Sequence, residues 1–380
     1  MPHPLLTTLG ATARPAGLGA DNDARRFCAE YLGERGFAVS DRPFEFSAWP
    51  GRWGTPAIGA VLCVAASIPM FTERLLGFGI VLLLLAIVSA VVIGRYGTVS
   101  FSWLRRSATN LEAIRLPVET GQGGTMPPGR TSDQPRATQP PIWLAAHLDS
   151  KSQPIPMALR VAAVSVSIVA WLALIVIWAV DQYALATVFS VAALLGAIPL
   201  ALCTVGHRGT GALDNASGVA TILSAIDKLD PTIPVGVLLT SAEELGLAGA
   251  RAWMRHRASD AGVPIVVVNC DSIDDIGALT CMFPRRYLDH FREPIAAAEK
   301  NAKVTVTSRR LVPGILVDAV AFSDAGWPAL TVSRANWSSL ARIHSRHDNL
   351  ERMTGANVES AAQFIAAFVS AIFRHSPGLL

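Results

Sequence analysis

Four long runs without a charged residue constrain the fold of this chain more than any other feature. The runs cover residues 53–72, 75–94, 161–180 and 182–206. Each is about as long as the roughly 20 residues that an α-helix needs to cross the hydrocarbon core of a bilayer. The composition agrees, because only 16% of the 380 residues are charged and 51% are hydrophobic. We therefore predict four transmembrane helices rather than buried core helices, the first being the weakest because Pro56 and Pro69 interrupt it.

The four runs pair into two hairpins. Residues 72–74 separate the first pair, and residues 181–183 separate the second. Because each hairpin returns the chain to the side from which it started, the other segments share one compartment. The predicted organisation is one domain built from residues 1–52, 95–160 and 207–380, interrupted by hairpins at 53–94 and 161–206. Within that domain, residues 117–140 are rich in Pro, Gly, Thr and Gln, which is typical of a flexible loop.

Basic residues near the ends of the runs indicate which side of the membrane the domain occupies. The cations on the domain side are Arg52, Arg95, Arg105, Arg106, Lys151, Arg160 and Arg208, whereas the hairpin tips carry one arginine between them. Positive charge favours the cytoplasmic face, so we predict a multi-pass protein of the cell membrane with a cytoplasmic domain. The five cysteines show no dense disulfide framework, although a Cys270–Cys281 bridge would suit an outward-facing domain.

The domain alternates strand patterns with helix patterns. We predict strands at Phe37–Val39, Phe44–Phe46, Asn110–Ile114, Ile142–Ala146, Val235–Thr240, Ile265–Asn269, within 303–312 and at Ala329–Val332. Helices are predicted at 19–36, Ser217–Leu229, Gly246–Arg257 and Ala356–Phe373. This alternation favours an α/β fold, a three-layer sandwich with a mostly parallel mixed sheet, interrupted by the two transmembrane hairpins.

Acidic residues and histidines lie where several of these elements begin or end. They are His147, Asp149, Asp214, Glu243, Glu244, Asp271 and His344. Each alone has an ordinary explanation: a satisfied His-Asp pair, a solvated helix start, or an N-cap in the case of Asp214. Together they converge, because sites in open α/β sheets collect beyond the carboxyl ends of the strands. Mixed nitrogen and oxygen ligands suit zinc, and carboxylates can bridge two ions.

The segments around these residues resemble a known family. They are similar to the zinc-dependent aminopeptidases and carboxypeptidases with two co-catalytic zinc ions, the group that contains secreted bacterial aminopeptidases and glutamate carboxypeptidase. The matching segments are residues 146–150 (AHLDS), 211–220 (GALDNASGVA), 241–250 (SAEELGLAGA) and 269–271 (NCD), together with His344, Asp348, Asp318 and Phe322. The resemblance covers most of the chain outside the four apolar runs and the 117–140 loop.

The resemblance implies a role for each residue. His147 and Asp271 would complete one zinc site, Glu244 and His344 the other, and Asp214 would bridge both ions. Asp149 would hold the His147 ring, and Glu243 would be the general base that acts on metal-activated water. Asp274 and Asp275 compete with Asp271 as ligands, and His347 competes with His344.

These observations predict a membrane-bound zinc metallopeptidase, an aminopeptidase more than a carboxypeptidase. Carboxypeptidase action would need a cation for the terminal carboxylate, for which the candidates are Arg285, Arg286, Arg309, Arg310 and Arg334. The alternatives are a glutaminyl cyclase-like transferase with one zinc, or a non-catalytic membrane scaffold or receptor with a relic peptidase domain. The expected partners are a peptide substrate and the lipid bilayer. A net charge of only +3, without a basic stripe, argues against nucleic acid.

Overall fold

The computed structural model describes residues 2–115, 140–257, 266–311 and 315–375. The predicted loop at 117–140 lies outside the described residues except for Pro140. The helices are α1 (Pro4–Leu9), α2 (Gly19–Gly33), α3 (Thr55–Phe71), α4 (Leu76–Val92), α5 (Thr98–Ser100), α6 (Met157–Ala179), α7 (Ala186–Ala201), α8 (Ser217–Ile226), α9 (Ala248–Arg257), α10 (Leu288–Ala302), α11 (Asp318–Asp324), α12 (Trp337–Arg342) and α13 (Val358–His375).

Eight strands form one mixed sheet. They are β1 (Ala38–Ser47), β2 (Arg105–Arg115), β3 (Ile142–His147), β4 (Val235–Thr240), β5 (Val266–Ile273), β6 (Ala278–Phe283), β7 (Val306–Arg310) and β8 (Ala329–Ala335). Their order across the sheet is β1-β2-β4-β3-β5-β8-β6-β7. The pairs β3–β4, β3–β5, β5–β8 and β6–β7 are parallel, and the other three pairs are antiparallel.

Helices cover both faces of the sheet, as the alternation of side chains along β3 shows. Leu144 lies in a large core with Val219 of α8 and Phe364 of α13. Its neighbour Trp143 lies on the opposite face, in a second core that includes residues of α9 and α11. There the Trp143 ring packs edge-on against Trp253, with ring centroids 4.8 Å apart. The predicted three-layer α/β fold with a mostly parallel mixed sheet is confirmed.

Several element bounds differ from the predictions for local reasons. The two short strands expected at 37–39 and 44–46 are one strand, because β1 pairs with β2 over its whole length. The helix expected from Gly246 begins at Ala248, because Gly246 and Leu247 have φ angles of 103° and 58°, which no right-handed helix contains. Cys270 and Cys281 are both buried, and both carry free thiols.

In the part of the chain that the structure describes, four helices are long and apolar enough to cross a membrane. The candidate spans are Pro50–Phe71, Glu73–Gly97, Met157–Ala179 and Tyr183–Ala201. They pack closely on one another: a Cβ atom at Gly59 of α3 would lie 2.2 Å from the backbone nitrogen of Ala201 in α7. Their outward faces carry large apolar side chains, such as Val169 at 63% exposure and Leu195 at 62%. Exposed apolar surface of this extent is typical of helices that contact a membrane or another protein.

Both hairpins leave and re-enter the domain at one edge of the sheet. β3 and β4 are parallel and β2 is antiparallel to β4, so the amino end of β2 lies beside the carboxyl ends of β3 and β4. Ser47, at the end of β1, pairs with Arg105 at the start of β2, and the first hairpin connects them. An antiparallel bridge between Ser152 and Gly206 closes the base of the second hairpin, just after β3.

Candidate metal centre

The predicted site residues meet at this same edge of the sheet. His147 is the last residue of β3, and Asp271 lies near the end of β5. Glu243 and Glu244 occupy the turn after β4, Asp214 lies just before α8, and His344 follows α12. Parallel neighbours such as β4, β3 and β5 bring their carboxyl ends together, which is why residues so distant along the chain converge here.

Two groups of potential ligand atoms share one carboxylate. One group is His147, Asp214 and Asp271, and the other is Asp214, Glu244 and His344; within each, the atoms lie within 4.8 Å of one another. Asp214 Oδ1 is 3.1 Å from His147 Nε2, while its Oδ2 is 2.9 Å from His344 Nε2. His344 Nε2 is also 3.0 Å from Glu244 Oε2, and Asp271 Oδ1 is 4.0 Å from His147 Nε2.

Asp149 organises the turn that carries the two glutamates. Its Oδ1 accepts a hydrogen bond from the Glu243 backbone N–H at 3.0 Å, and its Oδ2 accepts one from the Glu244 N–H at 3.2 Å. The backbone carbonyl of Asp149 lies 3.0 Å from His147 Nδ1, whereas its carboxylate is 3.7 Å from that nitrogen. A hydrogen bond from Nδ1–H to this carbonyl would fix the ring with Nε2 facing the cluster, where the deprotonated Nε2 could bind a metal ion.

Asp348 plays a similar part for Asp214. Its carboxylate accepts hydrogen bonds from the backbone N–H groups of Leu213 at 2.7 Å and Asp214 at 3.2 Å. Asp348 is itself only 3% exposed. Asp348 therefore fixes the loop before α8 to the segment that also carries His344, four residues before Asp348 in the chain.

The carboxylates are too crowded for water alone to stabilise. Burial raises the pKa of Asp271 to about 7, and the charge of the neighbouring Asp214 adds to the effect. Burial, opposed by His147 but assisted by Glu244, raises the pKa of Glu243 well above its usual range. Burial also disfavours ionised Asp214, yet hydrogen bonds from His147 and His344 hold its pKa well below the ordinary value. Buried carboxylates this close together repel one another and lose hydration, and bound cations would offset both effects.

One oxygen of the cluster has no partner among the residues that the structure describes. Glu244 Oε1 is buried and accepts no hydrogen bond from them, while Oε2 of the same carboxylate contacts His344. A buried carboxylate oxygen without a donor is costly unless a cation binds it. The donor set of two imidazole nitrogens and carboxylate oxygens, with one carboxylate common to both groups, fits a pair of zinc ions.

The competing ligands predicted from the sequence lie elsewhere. Asp274 forms an ion pair with Arg342. Asp275 accepts hydrogen bonds from the backbone N–H groups of Thr354 at 2.6 Å and Ala356 at 2.8 Å. His347 is exposed and contacts the neighbouring Arg346.

Sequence reasoning missed two cations beside the cluster. Lys151 Nζ lies 2.7 Å from Glu244 Oε2, and an Arg160 guanidinium nitrogen lies 3.2 Å from His344 Nδ1. Burial disfavours the charged form of Lys151, but Glu244 and Glu243 raise its pKa above the usual value, so it stays protonated. Lys151 directly follows residues 146–150, the segment that carries His147 and Asp149, and this position could have indicated that it lies at the site. Arg160 lies in the first turn of α6, and its sequence position suggested only a role in membrane orientation.

Comparisons with known proteins agree with this geometry. Residues 130–369 match the profile of peptidase family M28. An aminopeptidase from Aneurinibacillus sp. strain AM-1 has a similar structure, with 13% identity, a TM-score of 0.54, and coverage of 97% of this chain and 92% of that chain. BSAP, a zinc aminopeptidase from Bacillus subtilis, is similar at 12% identity and a TM-score of 0.54, covering 98% and 94%.

A third similar structure has a different activity. It is a glutaminyl cyclase from Fimbriiglobus ruber, with 11% identity, a TM-score of 0.52, and coverage of 98% of this chain and 97% of that chain. No curated protein matches the chain in sequence. At these identities the structural likeness establishes the fold, and the chemistry has to be argued from the residues of the site.

Proposed function

This chain belongs to peptidase family M28, and on that premise we propose that it is a membrane-bound aminopeptidase that works with two zinc ions. The observation that carries the proposal is the pair of three-residue ligand groups that share Asp214. In this proposal His147 and Asp271 would hold one ion, Glu244 and His344 would hold the other, and Asp214 would serve both. When bound, the ions supply Lewis acidity toward water and the scissile carbonyl.

Glu243 is the proposed general base. Its Oε2 lies 3.9 Å from His147 Nε2, so it borders the cluster, yet it belongs to neither ligand group. A carboxylate that borders the cluster without belonging to a ligand group is placed to accept a proton from the attacking water and then to donate it to the leaving amine. The hydrogen bonds that Asp149 accepts from the turn orient Glu243 and Glu244 differently, so one can bind metal while the other stays free.

The membrane part of the proposal rests on the four candidate spans and on where they join the domain. The start of the first span packs onto the glutamate turn: a Cβ atom at Gly51 would lie 2.5 Å from Leu245 Cα. Since both hairpins meet the edge of the sheet that bears the cluster, the proposed active site faces the membrane. The basic residues near the helix ends favour a cytoplasmic domain, and a reporter fused to the C-terminus should be active in the cytoplasm.

The sharpest test compares two adjacent glutamates. Glu243→Gln should abolish peptide hydrolysis while about two zinc ions per chain remain bound. Glu244→Gln should lose zinc together with activity, because it removes a proposed ligand. Zinc content by elemental analysis and turnover of short peptides measure the two effects. Full activity of Glu243→Gln would contradict its role as the base.

The same assay separates the competing functions. An aminopeptidase cleaves peptides that are blocked at the carboxyl end and spares those blocked at the amino end; a carboxypeptidase does the reverse. Cyclisation of amino-terminal glutamine with one zinc per chain would indicate the glutaminyl cyclase-like activity, which the similar cyclase fold makes worth testing. A chain that binds no zinc and cleaves nothing would fit a scaffold or receptor.

A further inference from the structure

A pocket beside the metal centre has no part in the mechanism above. It is small, with a volume of about 20 Å³, and its lining includes Glu244 and Asp149. Four basic residues also line it, namely Arg52, Arg106, Lys151 and His207. They come from the start of the first span, from β2, from the segment after β3, and from the segment after the fourth span. The pocket therefore lies where both hairpins join the domain.

Arg52, Arg106 and Lys151 bring three positive charges to this pocket, against the two carboxylates of Asp149 and Glu244. Both Asp149 oxygens already accept backbone hydrogen bonds, and Glu244 Oε2 contacts His344 and Lys151. Within the ranges that the structure describes, Arg52 and Arg106 have no carboxylate within 4.0 Å, whereas the neighbouring Arg105 lies 3.9 Å from Glu45.

His207 adds no further charge to the pocket. An Arg52 guanidinium nitrogen lies 3.4 Å from His207 Nε2. Burial lowers the pKa of His207, and the charges of Arg52 and Arg106 lower it further, so the ring is neutral at pH 7 and can accept a hydrogen bond. Two arginines and a lysine thus converge on a small space that apolar residues such as Leu18 and Val205 also line.

We propose that this pocket is a subsite for a carboxylate group of the substrate. The inference rests on the proposed peptidase function, since it assigns the pocket to the same bound peptide. Lys151 Nζ is 2.7 Å from a proposed ligand oxygen, and a peptide advances only about 3.3–3.6 Å per residue, so the carboxylate belongs one or two residues from the scissile bond. Arginine is the side chain best suited to pair with a carboxylate.

Two parts of a peptide substrate could supply this carboxylate group: the terminal carboxylate of a short peptide, and the side chain of an aspartate or glutamate near the cleaved bond. The arginines predicted from the sequence for this purpose do not supply the pocket. Arg309 and Arg310 lie on β7, the last strand at the far side of the sheet, and Arg286 donates to the Ser323 carbonyl. The cations beside the cluster come instead from segments that the membrane hairpins bring together.

The test uses the full-length protein in phosphatidylcholine nanodiscs and two matched pairs of peptides. The first pair is alanyl-alanine as the free acid and as the amide. The second is the amides of alanyl-glutamate and alanyl-glutamine. In at least one pair, the member with the carboxylate should have a kcat/KM higher by roughly 10- to 100-fold, as expected for a charge-assisted hydrogen bond.

Arg52→Gln and Arg106→Gln should reduce that preference toward one, with little change for the neutral peptide and unchanged zinc content. The matched control is Arg105→Gln, because Arg105 neighbours Arg106, lies near Glu45 at 3.9 Å, and does not line the pocket. No preference in the wild type, or a preference that both pocket variants retain, would overturn the proposal. So would an arginine effect that appears only when phosphatidylglycerol is added, because a lipid headgroup would then occupy the pocket.

A binding measurement separates this proposal from the peptidase function. Calorimetry with Glu243→Gln protein should show tighter binding of the carboxylate peptide, and Arg106→Gln in that background should remove the difference. If the wild type cleaves no peptide but the binding preference depends on the arginines, the pocket stands and the peptidase proposal fails. If peptides are cleaved and bound without regard to the arginines, the subsite is wrong and the peptidase proposal stands.

Discussion

Replacing Asp149 by Asn tests how the chain positions its proposed metal ligands. The substitution preserves the size of the side chain but removes its charge and one acceptor. In the structure the two carboxylate oxygens accept the backbone N–H groups of Glu243 at 3.0 Å and Glu244 at 3.2 Å. An asparagine can accept only one of them, and its NH2 group would face the other N–H.

The magnitude follows from those two contacts. Hydrogen bonds to charged groups contribute about 1.5–3 kcal/mol each, and one of the two is lost outright. Because Glu244 is a proposed ligand, part of that loss should appear in zinc binding rather than in folding. Loss of a group that orients metal ligands typically lowers metal affinity by about 10- to 100-fold, and we expect an effect of this size for Asp149→Asn.

The control is a carboxylate of similar burial away from the site. Glu112 is 1% exposed and accepts hydrogen bonds from Arg42 at 2.7 Å, Trp253 at 2.7 Å and Arg257 at 2.8 Å. Glu112→Gln should lower the unfolding temperature but leave zinc affinity as it was. Chelator competition and thermal unfolding in detergent measure both quantities. Wild-type zinc affinity in Asp149→Asn, or equal losses of affinity in both variants, would refute the reasoning.

Three further outcomes are expected. Gly59→Val should lower the unfolding temperature in detergent because its Cβ atom would lie 2.2 Å from the α7 backbone, at a cost of about 1–3 kcal/mol. Gly94→Val should not, because a Cβ atom there would meet no described atom within 4 Å beyond its chain neighbours and its own helix backbone. Burial opposes the ionised form of Glu112, but its hydrogen-bond donors lower the pKa of this carboxyl group below the ordinary 4.5. The ionised group therefore stabilises the fold above pH 4.5, and this contribution is lost as the pH falls. Glu112→Gln should make the unfolding temperature less dependent on pH in the acidic range. Asn215→Ala should destabilise the fold by about 1–3 kcal/mol in chemical unfolding, since it removes the hydrogen bonds that the Asn215 side chain makes with the Cys270 carbonyl and the Ser272 N–H of β5.

Local sequence patterns were sufficient to predict most of the helices and strands. The charge-free run at 75–94 lies within the candidate span Glu73–Gly97, and the strand predicted at Val235–Thr240 is β4 without change. Both depend on stretches of apolar residues, whose length and composition can be read from neighbouring positions alone. The residue types of the site could also be predicted, because parallel strands bring the carboxylates and histidines at their carboxyl ends together.

The tertiary structure decided which of those residues act on one another. That Asp149 holds the glutamate turn, 94 residues later in the chain, follows from the pairing of β3 with β4. The contact between Lys151 and Glu244, and the meeting of all four apolar helices at the site's edge, follow from the same strand order. Short-range propensities carry no information about such neighbours. Pairing across the sheet brings them together, and the burial that results sets the charge of each group.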